Sequence, residues 1–161
     1  MQNKTCCFTG HRILPKKSTN EILEIMSREI ERLRGKGVTN FMCGGALGFD
    51  TLASSLIIAK KIMGKDVRLI LALPCKNQDL LWSNFQKKVY RNILEEADEI
   101  IYVSEEYDRQ CMKRRNSYMV EHSEYCICAL TNKKSGTGQT VRMAQKKGLE
   151  VFNVIQEIYS L

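Results

Sequence analysis

Two glycine-containing segments have the residue types that bind an anion. The first, GGALGFD, covers residues 44–50, and the second, SGTGQT, covers residues 135–140. Each runs into apolar residues at helical spacing, so each is expected to place a helix N-terminus where glycine lets an oxyanion approach the backbone. The unpaired N–H groups and partial positive charge of such a terminus favour phosphate. The alternative for each segment is a plain strand-to-helix turn, with Thr137 serving only as a helix cap.

Four charged or titratable side chains could complete a phosphate site. Arg12 and Arg115 can each form two parallel hydrogen bonds to a phosphate. Asp50 either stabilises the start of a helix or accepts a hydrogen bond from a ribose hydroxyl. His11, one of only two histidines, lies between Gly10 and Arg12 and is expected beside the ligand.

Two other candidate residues have simpler interpretations. His122 lies late in a predicted helix, where packing or interaction with the helix dipole accounts for it. Trp82 is expected to pack in the core, with stacking on a base as the alternative. The chain has no G-x-G-x-x-G after its first strand and no G-x-x-x-x-G-K-[ST] anywhere. This argues against NAD dehydrogenases and P-loop ATPases.

Apolar stretches of two lengths alternate along the chain. The short ones are continuous apolar runs, typical of strands buried on both faces. They predict strands at residues 5–9, 39–43, 67–73, 99–104, 125–130 and 150–155. Apolar residues at helical spacing predict helices at 18–35, 50–63, 82–93, 112–123 and 140–147, the first opened by a capping box of Ser18 and Glu21.

This alternation predicts one Rossmann-like α/β domain over residues 1–161. Its sheet is expected to be mostly parallel and six-stranded, of order 3-2-1-4-5-6, with helices on both faces and a short tail at 155–161. Ligands of such sheets bind beyond the carboxyl ends of the strands, near the topological switch point. The segments expected at that edge are 10–12, 44–50, 74–78, the basic stretch ending at Arg115-Asn116, and 135–140.

The composition is that of an ordinary globular domain, with 161 residues, 43% hydrophobic and 27% charged. No apolar run has the length of a membrane span, and the first residues lack a signal-peptide pattern, so no membrane partner is expected. The seven cysteines are odd in number and lack zinc-ligand spacing. They are expected to be buried free thiols in a reducing cytoplasm, without a metal or another cofactor. The net charge of +7 favours nucleotides or nucleic acid as partners.

Five segments considered together carry a resemblance to a known family. They are CCFTGHR, FMCGGALGFD, LPCKNQDLLW, YDRQCMKRRNSYMV and SGTGQTVRMA, in this order over nearly the whole chain. They resemble the YpsA-like proteins of the SLOG superfamily, which also holds DNA-processing protein A and the LOG phosphoribohydrolases. The resemblance implies a Rossmann-like fold, a cytoplasmic location, a pocket for a nucleotide or nucleotide-derived ligand, and self-association, so a homodimer is expected.

The sequence departs from the LOG hydrolases at residue 140. The resemblance places their catalytic Glu three residues after Thr137, where this chain has Thr140. A carboxylate stabilises the oxocarbenium-like state of N-glycosidic cleavage or activates water, and a threonine does neither at neutral pH. Glu121 and Asp50 are the candidates to replace it. Nucleoside 5'-monophosphate phosphoribohydrolase activity is therefore kept as an alternative, and a role without catalysis is favoured.

Single-stranded DNA binding, as in DNA-processing protein A, is the other alternative. Arg109, Lys113, Arg114 and Arg115 form a basic cluster that could bind a phosphate backbone. Because Tyr107 and Tyr118 are the only aromatic residues nearby, the cluster lacks an aromatic ladder for bases, and only weak nucleic-acid binding is expected.

The resulting hypothesis is a sensor or regulator that binds a nucleotide-like phosphate ligand at the C-terminal edge of the sheet. The expected ligand-binding residues are Gly10, His11, Arg12, Gly44, Gly45, Gly48, Asp50, Arg115, Asn116, Ser135, Gly136, Thr137 and Thr140.

Overall fold

A computed structural model describes residues 4–159, except for the side chain of Lys16. The strands are β1 (Lys4–Gly10), β2 (Val38–Cys43), β3 (Arg68–Leu73), β4 (Glu99–Tyr102), β5 (Tyr125–Ala129) and β6 (Glu150–Asn153). The helices are α1 (Thr19–Gly35), α2 (Phe49–Ile62), α3 (Asn84–Glu96), α4 (Cys111–Glu121), α5 (Gly136–Lys147) and α6 (Val154–Tyr159), with one turn of 3-10 helix at Lys16–Ser18.

The strands of this described part form one sheet of order β4-β3-β2-β1-β5-β6, and each neighbouring pair is parallel. The predicted α/β class with a parallel six-stranded sheet is thereby confirmed. The order differs from 3-2-1-4-5-6 in one respect, since β4 lies outside β3 and leaves β5 beside β1. Glu99, Ile100 and Tyr102 of β4 are exposed, which suits an edge strand. A position beside β1 would bury both faces of β4.

The two faces of the sheet carry different helices. α1, α2, α3 and α6 cover one face, where Phe8, Phe41 and Phe49 are fully buried. α4 and α5 cover the other face, where Met119 of α4 packs with Cys7 and Cys128 of the sheet. This division follows from right-handed crossovers, because the chain moves outward from β1 to β4 and then returns to β5 and β6 in the opposite direction.

Successive strands are added to the sheet in one direction from β1 to β4 and in the opposite direction from β5 to β6, so the topological switch point lies between the parallel neighbours β1 and β5. Gly10 and Ala129, at the carboxyl ends of these strands, are register partners. α1 leaves this edge over one face and α5 leaves it over the other, so the two connections diverge and open a crevice between them. The loops of residues 10–12 and 130–135 both border this crevice.

The helix boundaries correct two predictions. Ser18 precedes α1, but its side chain makes no capping hydrogen bond, because the preceding 3-10 turn holds it at φ −104° and ψ 1° instead of an extended conformation. A capping box is found at α3, where Ser83 Oγ accepts from Gln86 N–H at 3.2 Å and Gln86 Oε1 accepts from Ser83 N–H at 3.0 Å. The predicted start of the fifth helix at residue 140 is also wrong, since Ser135 caps α5 and Gly136 begins it.

The predicted tail is a helix over most of its length. β6 ends at Asn153, and α6 follows directly, with Val154 and Ile155 buried against α1. Residues 160–161 of that tail lie outside the described part of the chain, as do residues 1–3. All seven cysteines are buried free thiols, as expected.

Gly48, at the start of α2, packs closely against the backbone of the loop that follows β1. It is the N-cap of α2 with φ 79°, and a Cβ atom there would lie 2.2 Å from the carbonyl oxygen of Arg12. We expect Gly48→Ala to lower the free energy of unfolding by about 2–4 kcal/mol, because it adds a backbone clash to an unfavourable φ. Urea unfolding measures this loss.

The matched control is Gly64→Ala. Gly64 also has a positive φ, 82°, but no atom lies within 4 Å of the added Cβ. Its loss is expected near 1 kcal/mol, the cost of the dihedral angle alone. Equal losses in the two variants would refute the clash with the Arg12 carbonyl oxygen as the cause of the larger loss in Gly48→Ala.

Candidate functional site

A polar cavity of about 240 Å³ lies at the switch point between β1 and β5, and we call it the polar pocket. Its walls come from the loop after β1, the starts of α2 and α5, and one side of α4. The lining residues are Phe8, Thr9, Gly10, His11, Arg12, Ala46, Asp50, Met112, Arg115, Asn116, Met119, Ser135, Gly136 and Thr137. Most of the ligand-binding residues expected from the sequence are thus close together in space.

The start of α5 presents backbone donors to the polar pocket. Ser135 caps this helix, since its Oγ accepts from Gly138 N–H at 3.1 Å and its carbonyl oxygen accepts from Gln139 N–H. The Ser135 hydroxyl in turn donates to the Asn132 carbonyl oxygen at 2.5 Å. The N–H groups of Gly136 and Thr137, the first two of the helix, have no acceptor within it, and both residues line the polar pocket.

His11 positions the loop that leads to α5. Its Nε2 accepts hydrogen bonds from the backbone N–H of Thr131 at 3.0 Å and of Asn132 at 3.4 Å. A nitrogen that accepts carries no proton, so the neutral ring holds its proton on Nδ1. Burial lowers the pKa of His11 below its ordinary value of 6.5. His11 is therefore a neutral brace between the loops that follow β1 and β5.

Arg115 is a buried cation under the polar pocket, with only 6% of its surface exposed. Its Nη1 donates to the carbonyl oxygen of Gly44, and its Nε donates to Asn116 Oδ1 at 2.8 Å. Burial lowers the pKa of Arg115, but a guanidinium starts so high that it keeps its charge. Arg115 thus gives the pocket floor a positive charge, while its Nε and one N–H of Nη1 are held by protein oxygens.

Asp50 is the counter-charge, and one of its oxygens has no partner. Oδ2 accepts from Ala46 N–H at 3.1 Å, whereas Oδ1 is buried and unpaired within the described structure. Burial raises the pKa of Asp50 to about 6, against the opposing effects of Arg115, the Ala46 N–H and Arg12. A buried acceptor without a donor is rare in folded proteins, so Asp50 Oδ1 calls for a partner such as ordered water or a ligand hydroxyl.

Four of the expected residues do not line the polar pocket. Gly44 lies against Arg115, where a Cβ would be 2.6 Å from Nη1, so glycine is needed for that contact. Gly45 and Gly48 form the turn into α2, with φ of 71° and 79°. The Thr140 side chain is fully buried, and its hydroxyl donates to the Gly136 carbonyl oxygen at 2.9 Å. These four residues therefore hold the surrounding backbone and Arg115 in place without lining the polar pocket themselves.

A second cavity adjoins the first, and we call it the apolar groove. It measures about 730 Å³ and lies between α2 and α3, bordered by residues 12–14. Trp82 and Phe85 line it, and Trp82 packs against the core, as expected, while part of its surface stays exposed to the groove. Sequence spacing did not reveal the groove, because an apolar stripe looks the same whether it faces a core or a cleft.

The remaining sequence candidates lie outside both cavities or are used locally. Arg114 pairs with Asp108 at 2.5 Å and with the Ser104 hydroxyl, so the basic cluster is partly neutralised. Glu121 is exposed and lines neither cavity. His122 is exposed and stacks on Tyr118, with ring centroids 4.0 Å apart.

Within residues 4–159, no group of three or more His, Cys, Asp and Glu side chains is arranged to hold a metal ion. Over the same residues, no helix combines the length and the apolar character that crossing a bilayer requires.

Sequence comparisons identify relatives of the chain. The sequence pattern of the YspA SLOG family, also labelled YpsA, matches residues 14–155. The uncharacterized SPbeta prophage-derived protein YoqJ of Bacillus subtilis is 36% identical over 118 residues, which are 66% of this chain and 69% of that protein. A UPF0398 protein of Halalkalibacterium halodurans is 26% identical over 118 residues, covering 72% of this chain and 62% of that protein.

Two solved structures share the fold. DNA processing protein A from Streptococcus pneumoniae superposes with a TM-score of 0.70 at 17% identity, covering 94% of this chain but 50% of that one. DNA processing protein A from Helicobacter pylori, whose structure concerns its single-stranded DNA binding mode, gives a TM-score of 0.67 at 20% identity and covers 98% and 72%. At these identities the likeness shows a common fold, and this chain spans only half of the Streptococcus protein.

The brace formed by His11 gives a pH-dependent prediction. Because the folded pKa of His11 lies below 6.5, the unfolded chain binds more protons in that window, and stability is lost as pH falls through it. His11→Ala removes an acceptor worth about 1 kcal/mol at neutral pH, and this difference from the unaltered protein should shrink as the pH falls to about 5. Denaturant unfolding measures the global effect, and hydrogen exchange at the Thr131 amide measures the local one.

Comparing the two proteins at each pH removes the opposite contribution of Asp50, whose raised pKa makes stability fall as pH rises towards 6. His122→Ala is the control, since that ring is exposed and lies on α4. A constant difference between the His11 variant and the unaltered protein across this range would contradict the neutral-acceptor role.

Proposed function

Because the chain belongs to the YspA SLOG family, we propose that it binds a nucleotide or nucleotide-derived phosphate ligand at the polar pocket. Ligand binding, and not turnover, is then the functional event, as in a sensor or regulator. The observation that carries this proposal is the start of α5. There, two backbone N–H groups without intrahelical acceptors line a pocket at the switch point of a parallel sheet.

The charges around the polar pocket support an anion. Arg12 is exposed at its mouth, Arg115 is buried beneath it, and the N-terminus of α5 adds a partial positive charge. Asp50 supplies the opposing negative charge. The exposed Arg12 can donate two parallel hydrogen bonds to a phosphate, whereas Arg115 would act mainly through its charge.

The carboxylates support binding without cleavage. Thr140 is buried and committed to Gly136, and Glu121 lies elsewhere. Among the described residues, Asp50 is the one carboxylate that lines the polar pocket, and its Oδ2 is already held by Ala46. In a phosphoribohydrolase reaction, Asp50 would therefore be the one carboxylate in this pocket that could stabilise the oxocarbenium-like state or activate water.

Gly136→Asp separates phosphate binding from folding. No atom lies within 4 Å of a Cβ at Gly136, and an aspartate in the first turn of a helix stabilises it by about 0.3–1 kcal/mol. The same carboxylate would repel a phosphate. We expect nucleoside monophosphates to stabilise the unaltered protein, by about 2.7 kcal/mol at a hundredfold excess over Kd, and to lose this effect in the variant. A thermal-shift titration over a nucleotide panel measures it.

The matched control is Gly136→Asn. Its side chain has nearly the same shape as aspartate but carries no charge, so this variant should retain most of the binding. Arg12→Ala should weaken binding as well, and Arg109→Ala, which removes another exposed arginine outside the pocket, should not. Stabilisation by nucleotides that survives in Gly136→Asp would overturn the proposed site. Release of free base from the nucleotides, abolished in Asp50→Asn, would instead identify a hydrolase.

Single-stranded DNA binding is the second candidate function. The fold shared with DNA processing protein A favours it, and so do Lys133 and Lys134, which are exposed on the loop before α5 beside the pocket mouth. A phosphate backbone could lie along this basic loop, with affinity that falls steeply as salt rises.

We expect an oligonucleotide to bind weakly and to dissociate near physiological salt. The double variant Lys133→Ala, Lys134→Ala should reduce the magnitude of the negative slope of log affinity against log salt by about 1.4, at about 0.7 for each phosphate contact of a single strand. Electrophoretic retardation at several salt concentrations measures this slope. Tight binding at physiological salt that Gly136→Asp leaves unchanged would make DNA the principal ligand and displace the nucleotide proposal.

A further inference from the structure

The polar pocket is too small to enclose a whole nucleotide. Its volume of about 240 Å³ lies below the range of roughly 300–1,000 Å³ typical of small-molecule sites. The apolar groove, at about 730 Å³, lies within that range. Arg12, Ala46 and Asp50 line both cavities, so the two cavities are adjacent and these three residues form their shared wall.

Resting on the nucleotide function proposed above, we infer that the apolar groove between α2 and α3 is a base-binding subsite. The phosphate lies at the start of α5, the sugar lies against the shared wall at Asp50, and the base enters the groove towards Trp82. The order of phosphate, sugar and base in a nucleotide is the order of polar pocket, shared wall and apolar groove in the protein.

The buried polar atoms of α2 support a ligand there, independently of volume. Asp50 and Ser54 are one helical turn apart, and each has less than a tenth of its surface exposed. Asp50 Oδ1 and Ser54 Oγ have no hydrogen-bond partner in the described structure, although the thiol of Cys43, a weak hydrogen-bonding group, lies close enough to interact with Ser54. Both residues line the groove. A sugar hydroxyl at Asp50 and a base N–H or ring nitrogen at Ser54 would satisfy them.

The aromatic wall of the groove has the chemistry that binds a base. Trp82 packs edge-on against Tyr90, with ring centroids 5.1 Å apart, and Gln78 donates to the Tyr90 hydroxyl at 2.9 Å, which fixes this ring. Phe85 stands at the rim with 75% of its surface exposed, and Ile13 on the opposite rim has 88% exposed. Apolar side chains left this open around a cleft are suited to close on a planar ring.

Trp82 makes the inference directly testable, because it is the single tryptophan of the chain and it lines the groove. Titration with AMP, GMP, CMP and UMP should change its fluorescence saturably for at least one base. Ribose 5-phosphate should bind by displacing that nucleotide and yet leave the emission unchanged when added alone. Free N-acetyltryptophanamide in the same solutions corrects for light absorbed by the nucleotides.

Phe85→Ala tests the rim with little risk to folding, since the side chain is mostly exposed. We expect it to weaken binding of the nucleotide about tenfold, the scale of base–aromatic contact, and to leave ribose 5-phosphate unaffected. Ile62→Ala is the matched control, because Ile62 is 78% exposed on α2 and lies outside the groove. It should alter neither ligand.

The outcomes separate the two proposals. If ribose 5-phosphate and the nucleotides bind equally well and the Trp82 emission does not respond, the base subsite is wrong and the phosphate site stands. If none of these ligands binds, the proposed function fails and the subsite fails with it.

Discussion

The site depends on burying one guanidinium at the carboxyl edge of the sheet. Arg115 comes from α4 on one face and donates to Gly44, which leads into α2 on the other face. An uncompensated charge at this depth would cost several kcal/mol, so its surroundings must supply acceptors and an opposite charge. The carbonyl of Gly44, the side chain of Asn116 and the carboxylate of Asp50 do this. The polar pocket is the space that remains above them.

This constraint divides the residues into those that build the site and those with donors or acceptors to spare. Gly44 admits the guanidinium, Thr140 closes the first turn of α5, and His11 holds the loop before it. These contacts already occupy the Gly44 carbonyl, the Thr140 hydroxyl and His11 Nε2. Among the described residues that line the polar pocket, hydrogen-bonding groups remain available at the first N–H groups of α5, at Arg12 and at one oxygen of Asp50. A ligand would meet these few groups, although the sequence pattern singles out many more.

The sequence predicted the parallel sheet and the meeting of loops 10–12 and 135–140, because buried strands and strand–helix alternation leave few arrangements. It did not predict the position of β4, since which side a strand joins depends on competing partners that a local pattern does not describe. It assigned Ser18 a capping role that the preceding 3-10 turn prevents. The sequence did not predict the apolar groove either, because a local pattern does not describe how far apart two helices lie. Whether the stripe containing Trp82 and Phe85 meets another helix or open space depends on the distance between α2 and α3.

The unpaired oxygen of Asp50 bears on why such a site would suit a sensor. A buried acceptor without a donor costs a protein about 1–3 kcal/mol, and burial has already raised the pKa of this carboxyl to about 6. A ligand hydroxyl would remove that cost in addition to making its own contacts. That hydroxyl contact would lie at the start of α2, and the proposed phosphate contact would lie at the start of α5, on the opposite face of the sheet. A bound ligand would therefore tie together two helix layers that meet at this edge chiefly through Arg115 and the His11 loop.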